Sequence, residues 1–288
     1  VRFQVGAASV TAILESDAAF SPEFLRAHVL PEATREAVKA IPWLAPAWAT
    51  PEGDLRFVTQ ALVVRSAGRV ILVDTCLGND KPRKNPAFDR LHTPFLTRLA
   101  DHGVTPEDVD LVVCTHLHFD HVGWNTRWDG SRWVPTFQRA RYLVAATEWD
   151  HWVARPSHGY VFADSLTPIA EAGLLDRVEL PHALTAEVTL VAAPGHTPGH
   201  AVITVASEGA RAIITGDALH HPCQVARPDW TSPADSDRAA AQATREALLA
   251  DLRASGGLLI GTHFARPCAG RIVADRFVGT SDDDAREA

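Results

Sequence analysis

The chain has 288 residues and a net charge of −8, with 46% hydrophobic and 22% charged residues. That balance suits a soluble protein acting on a small molecule and opposes a nucleic-acid backbone as partner. No apolar run reaches the roughly 18 residues of a membrane helix, so no membrane role is expected.

Val1–Val5 reads as an opening strand rather than an export signal. Ile41-Pro42-Trp43-Leu44-Ala45-Pro46-Ala47-Trp48 is too broken by proline for regular structure. Its two tryptophans either line an apolar mouth, pack in the core or meet a second copy in a homodimer. Residues 55–65 and 69–74 are apolar strands joined by the hairpin signal Ser66-Ala67-Gly68. Thr93-Pro94 opens a helix that Gly103 closes, with Phe95, Leu96 and Leu99 inside. Leu111–Cys114 is a short buried strand running into a histidine cluster.

Further strands are expected near 141–145, 188–193, 201–206, 211–215 and 258–260, and a helix begins over Glu148–Val153. Trp149 and Trp152 share the ambiguity of the earlier tryptophans. Ser236 or Asp237 starts a helix ending at Gly256-Gly257 and burying Leu248, Leu249 and Leu252. Each half places strands before flanking helices. The expectation is an α+β chain, two sheets face to face with helices outside (an αββα sandwich), forming one domain over 1–288 from two similar halves. Cys76, Cys114, Cys223 and Cys268 form no CxxC pair and read as reduced structural thiols in a cytoplasmic protein.

The chemistry concentrates in Thr115-His116-Leu117-His118-Phe119-Asp120-His121, directly after the 111–114 strand. Four ligand-type residues within six positions are more than a polar surface loop requires. Alternate residues leaving a strand point to one side, so His116 and His118 project together. A turn at Phe119 then brings Asp120 and His121 towards a second position. Converging imidazoles and carboxylates are what a metal ion needs.

This run resembles the HxHxDH signature of the metallo-β-lactamase superfamily. Further motifs of that family follow in its order: Asp74, His196 in Gly195-His196-Thr197-Pro198-Gly199-His200, Asp217 in Thr215-Gly216-Asp217, and His263 in Gly261-Thr262-His263. The resemblance spans about residues 55 to 270. It implies that His116, His118 and His196 hold one metal, and Asp120, His121 and His263 a second, with Asp217 shared and Asp74 orienting a ligand histidine. It also implies a hydroxide shared by the two ions as nucleophile, with Asp120 and Asp217 in the catalytic centre. A nitrogen–oxygen donor set without thiolate fits Zn²⁺ best, with Mn²⁺, Fe²⁺ or Co²⁺ as alternatives.

Within the superfamily, the best-known zinc β-lactamases carry cysteine where this chain has Asp217, which disfavours lactam substrates. The sequence looks most similar to the acyl-homoserine lactonases and methyl parathion hydrolases. The former place tyrosine three residues after the bridging aspartate; here His220 stands there, as in the organophosphate-hydrolysing branch. His220 either donates to a developing oxyanion or packs against His221. The resemblance therefore implies a hydrolase of neutral esters or lactones, with phosphotriesterase activity or a regulatory metal-binding role as alternatives. His200 is expected to fix a turn. His28, His92, His102, His151, His158 and His182 are expected at the surface or at caps, and Cys223 as an inert buried thiol.

Overall fold

The computed structural model describes residues 2–280; Val1 and residues 281–288 lie outside the described part. One sheet contains β1 (Arg2–Val5), β2 (Ala8–Ser16), β3 (Thr59–Ser66), β4 (Arg69–Val73) and β5 (Leu111–Val113). After a two-stranded ribbon, β6 (Thr126–Trp128) and β7 (Trp133–Pro135), the same sheet resumes with β8 (Arg141–Ala145) and β9 (Leu175–Val178). The second sheet follows in chain order: β10 (His182–Ala183), β11 (Val188–Ala192), β12 (Ala201–Ser207), β13 (Ala210–Ile214), β14 (Leu258–Ile260), β15 (Ala269–Val273) and β16 (Arg276–Gly279).

Because side chains alternate along a strand, each strand of the first sheet feeds two cores. Leu62, Val64, Ile71, Val73, Leu111, Val113 and Leu143 face the second sheet and pack with its Leu190, Ile203, Val205 and Ile214. Their neighbours Val63, Leu72, Val112, Tyr142 and Val144 face the other way, against Phe95, Leu99, Val161 and Ile169 of the outer helices. On the far side of the second sheet lies the helix Arg238–Ser255, which buries Leu249 and Leu252. Asp237 caps it by accepting from Ala240 N at 3.0 Å, and Gly256 ends it at φ +63°. The αββα expectation holds.

The expected strand over 55–65 begins only at Thr59. Upstream, Leu55 bridges Ala49 and Phe57 bridges Phe264, carrying this segment beside His263 instead of extending the sheet. Ile41–Trp48 contains only a short 3-10 turn over Pro42–Leu44, as its prolines require.

Strand direction decides where the loops gather. β4 and β5 pair in parallel. In the second sheet β11 and β13 both oppose β12, and β13 runs parallel to β14, so β11, β13 and β14 share one direction. The segments after β4, β5, β11, β13 and β14 carry Asp74, His116–His121, His196, Asp217 and His263 respectively.

Candidate metal centre

The loop after β5 turns tightly, His121 N donating to His118 O at 3.1 Å. His116 Nε2 then lies 3.0 Å from His118 Nδ1, which is 2.9 Å from His196 Nε2. Asp217 Oδ2 approaches the same point, 3.4 Å from His196 Nε2 and 3.8 Å from His116 Nε2. A second convergence adjoins it. His121 Nε2 and His263 Nε2 are 3.2 Å apart, Asp120 Oδ2 lies 3.9 and 3.8 Å from them, and Asp217 Oδ1 lies 3.3 and 3.2 Å away. The structure thus gathers all seven residues named from the sequence into two ligand groups, with Asp217 between them.

The remaining ring nitrogens say which atoms are free. His263 Nδ1 sits 2.8 Å from Val58 O, an acceptor only, so Nδ1 donates and Nε2 is the nitrogen that faces the cluster. His196 Nδ1 likewise donates to Asp235 Oδ1 at 2.8 Å, and His121 Nδ1 to Asp74 Oδ2 at 2.9 Å. Thr115 Oγ1 gives its proton to Asp74 Oδ2 and accepts from His116 Nδ1. Inner imidazole nitrogens therefore converge on one another and on a buried carboxylate, whose Oδ1 has no hydrogen-bond partner. Donors so gathered around an orphaned buried oxygen call for positive charge, so the donor set fits metal ions.

Electrostatics agree with that reading. Burial, then neighbouring imidazoles, hold His116 and His118 well below the ordinary histidine range and keep both neutral. Burial would also lower His121, but Asp217, Asp74 and Asp120 overcome it and raise the ring well above that range. Burial opposes ionisation of Asp217, yet His121, His263 and His220 hold its carboxyl well below normal. The site pulls positive charge to its centre.

Buried partners fix these side chains. Asp74, at φ +56°, accepts from Thr115 N at 2.8 Å as well as from His121, locking the start of the ligand loop. Glu148, buried in the helix Ala146–Val153, joins two loops: its Oε1 accepts from Leu117 N (3.0 Å), between His116 and His118, and its Oε2 from Thr197 Oγ1 (2.7 Å) and Gly199 N (3.1 Å), beside His196. Trp152 Nε1 adds a fourth bond at 2.7 Å. A Cβ on Gly199 would come within 2.2 Å of Glu148 N, so only glycine permits this approach. Phe57 stacks on His263 with centroids 4.3 Å apart, and Gln60 Nε2 ties Gly261 O and Phe264 O, each at 3.1 Å.

A cavity of about 410 Å³ opens over the cluster. Its apolar wall includes Phe20, Phe24, Phe57, Phe119 and Pro233; among the described residues no lysine or arginine lines it. Its floor includes His118, Asp120, Asp217 and His220. Burial keeps His220 below the ordinary range, so the ring is neutral near pH 7. Its Nε2 stands 3.4 Å from Asp217 Oδ2, and its buried Nδ1 has no partner.

A family model described as Metallo-beta-lactamase superfamily matches residues 54–263, a span containing every residue of both ligand groups. The chain belongs to that superfamily. Among curated proteins it is 30% identical over 169 residues to the probable metallo-hydrolase YflN of Bacillus subtilis, covering 48% of this chain and 62% of that protein. It is 26% identical over 127 residues to an N-acyl homoserine lactonase of Bacillus cereus, covering 44% and 45%. The chain thus spans less than two thirds of the length of these relatives. Among solved structures, the hydrolase AbOPH superposes with TM-score 0.77 at 23% identity, covering 98% of both chains. AidC, a dizinc quorum-quenching lactonase with bound product, gives TM-score 0.73 at 20% identity, covering 98% of this chain and 97% of that one. At these identities the structures establish the shared metallo-β-lactamase fold.

Other sequence expectations divide. His200 does secure a turn: Nδ1 donates to Ala193 O at 3.1 Å and Nε2 accepts from Asp217 N at 3.0 Å, with burial pushing its pKa down to about 3. Cys223 is buried, and burial raises its thiol far above the ordinary range. His158 is not a surface residue. It is buried against Trp152, centroids 4.1 Å apart, and donates from Nε2 to Leu117 O at 2.6 Å. Trp43 and Trp48 do not line the mouth. Trp48 is buried on Phe277, with Nε1 donating to Ala265 O and Pro267 O, and Trp43 packs edge-on against it. His221 does not stack on His220 but binds Trp48 O at 2.8 Å. Sequence alone does not reveal Glu148, which ties Leu117 N to the Thr197–Gly199 turn, or Asp235, which supports His196; these carboxylates carry no local motif of their own.

Proposed function

We propose that this chain is a dinuclear metal-dependent hydrolase of neutral esters or lactones. The observation carrying the proposal is the convergence of imidazole nitrogens and carboxylate oxygens at two adjoining points, with Asp217 close to both. The cofactors of this reading are two divalent ions: His116, His118 and His196 hold the first, Asp120, His121 and His263 the second, and Asp217 both. The absence of thiolate from the donor set favours Zn²⁺ over Mn²⁺, Fe²⁺ or Co²⁺ as ordinary occupant. When bound, divalent ions supply Lewis-acid polarisation of a carbonyl or phosphoryl oxygen and bring the pKa of water towards neutrality.

The chain's own residues supply the rest. Asp74, Asp235 and Val58 O each accept a hydrogen bond from the outer nitrogen of a ligand histidine, fixing its aim. The phenylalanine wall excludes water and receives an uncharged apolar group. His220, neutral and lining the floor, offers its Nε2–H to an oxygen on which negative charge develops. Four buried, unpaired cysteines support a reducing, cytoplasmic setting. The same apolar wall, without lysine or arginine among the described residues, supports slower phosphotriester cleavage as a second reading.

The test is turnover of an aryl ester, a lactone and a phosphotriester, before and after chelation and after Zn²⁺ is returned. Chelator-sensitive, zinc-restored ester or lactone cleavage is expected. Turnover indifferent to chelation, or none on any of the three, contradicts the proposal.

A further inference from the structure

Beside the metal-centre cavity lies a second one, of about 380 Å³, sharing Phe24 and Phe119 with the first. Phe88 continues the shared aromatic wall, its ring 5.3 Å from Phe24 and 5.2 Å from Phe119. The far side differs in kind. Arg83, Lys84 and Tyr160 line it, and among the described residues no carboxylate does. In a chain of net charge −8, a cavity lined by two cations and no acid needs a reason.

The two cations are held differently. Arg83 is fixed: its guanidinium contacts Asp164 Oδ2 at 2.5 Å and Oδ1 at 3.2 Å, and lies 4.9 Å from the centre of the Tyr160 ring. Its side chain is 5% exposed, and its Nε is buried without a partner. Lys84 is exposed and makes no hydrogen bond or ion pair among the described residues. Lys81 lies 3.8 Å from the second carboxylate oxygen of Asp164, so this carboxylate is already engaged by two buried basic side chains, and burial draws the pKa of Lys81 down to about 7. Among the described residues the first cavity has no lysine or arginine, and beyond the metal cluster and His220 its only polar lining side chains are His28 and Ser232.

We infer that the second cavity is a subsite for a carboxylate at the far end of the substrate's acyl arm, so that the preferred substrates are esters of dicarboxylic acids bearing one free carboxylate. The scissile ester lies over the metal ligands, the methylene chain crosses Phe24, Phe119 and Phe88, and the terminal carboxylate meets Lys84 at the cationic end. This rests on the proposed hydrolase reading and narrows it from neutral esters in general to esters neutral only at the reacting end. Lys84 acts here by binding, at a distance from the reacting atoms.

The experiment compares aryl monoesters of dicarboxylic acids, from succinate to suberate, with methyl-capped neutral partners of equal length. At one chain length the free carboxylate should raise kcat/KM by about fivefold, the size of one half-exposed charge pair, and lose that advantage in high salt. Lys84→Met, which keeps the aliphatic stem, should bring the ratio close to one and leave phenyl acetate hydrolysis unchanged. A ratio near one at every length in the unmodified protein, or an advantage that survives Lys84→Met, overturns the inference. If no ester is cleaved at all, the hydrolase reading has failed instead. Calorimetry with monomethyl adipate and metal-free protein then decides the subsite: binding weakened by Lys84→Met supports it, and equal or absent binding in both proteins overturns it.

Discussion

His121 Nε2 and His263 Nε2 face each other across 3.2 Å although each ring has already committed its other nitrogen as a donor, to Asp74 and to Val58 O. Asp217, Asp74 and Asp120 raise His121 well above the ordinary histidine range, so positive charge is drawn into this gap, where the unpartnered Asp217 Oδ1 also lies. The fold holds this approach in place because the two histidines follow strands of different sheets, β5 and β14, and their outer hydrogen bonds lie in buried surroundings. A metal cation supplies the positive charge that the gathered nitrogens and carboxylates call for.

Asp217→Asn should lower ester turnover by at least about 100-fold, the upper end of what loss of a supporting metal-site residue costs. The carboxylate lies between both ligand groups, whereas an amide offers one neutral oxygen and a donor to lone pairs. Steady-state kinetics with parallel metal analysis checks this; near-normal turnover with full metal content removes Asp217 from its bridging position.

Glu148→Gln should weaken metal retention and destabilise the fold together. The carboxylate accepts from Leu117 N, Trp152 Nε1, Thr197 Oγ1 and Gly199 N, and an amide must turn an NH₂ towards some of these donors. Leaving buried donors unsatisfied costs about 1–3 kcal/mol. Chelator competition and thermal unfolding read the two effects. Unchanged zinc affinity beside a lowered Tm makes Glu148 a support of the fold alone.

His220→Ala and His220→Phe should reduce kcat about 10²–10³-fold, the usual cost of losing one oxyanion donor, with metal content preserved. Running both variants on one ester and one lactone separates donation from packing. Should kcat hold in both variants on both substrates, His220 is a packing residue.

Glu15 gives a pH-dependent expectation away from the ligands. Burial pushes its carboxyl up to about 7, against the opposing donors Leu77 N, Trp124 Nε1, Gly78 N and Thr93 Oγ1. The folded chain then keeps a proton that the unfolded chain releases above its ordinary value of 4.5. Folded stability therefore falls as pH rises between those values and levels off above about 7, with a slope approaching 1.4 kcal/mol per pH unit at most. Glu15→Gln lacks that slope, so its stability relative to the unmodified protein should improve from about pH 5 to pH 8 in chelator-treated denaturant titrations. An identical difference at both pH values shows that Glu15 does not titrate in this window.

The sequence was most legible where chemistry is local. His116, His118, Asp120 and His121 stand within six positions after a strand, and His196, Asp217 and His263 each follow a strand that ends at the same edge. What defeated the reading was long-range. Glu148 reaches Leu117 and Gly199 across 31 and 51 residues, and no local period marks such a pair. The cavity wall of Phe20, Phe24 and Phe57 comes from segments outside the ligand motifs, while Trp43 and Trp48, conspicuous in sequence, find their partners in Phe277 and Ala265. His158 carries no sequence mark of burial, because its partners Trp152 and Leu117 O are brought beside it only by the fold.

The central claim is that two cations occupy the adjoining ligand groups, and elemental analysis of active protein purified without chelator tests it most directly. The account predicts close to two divalent ions per chain, ester turnover lost as they are withdrawn and regained as both return. A reproducible value of one ion per chain with full turnover would contradict it.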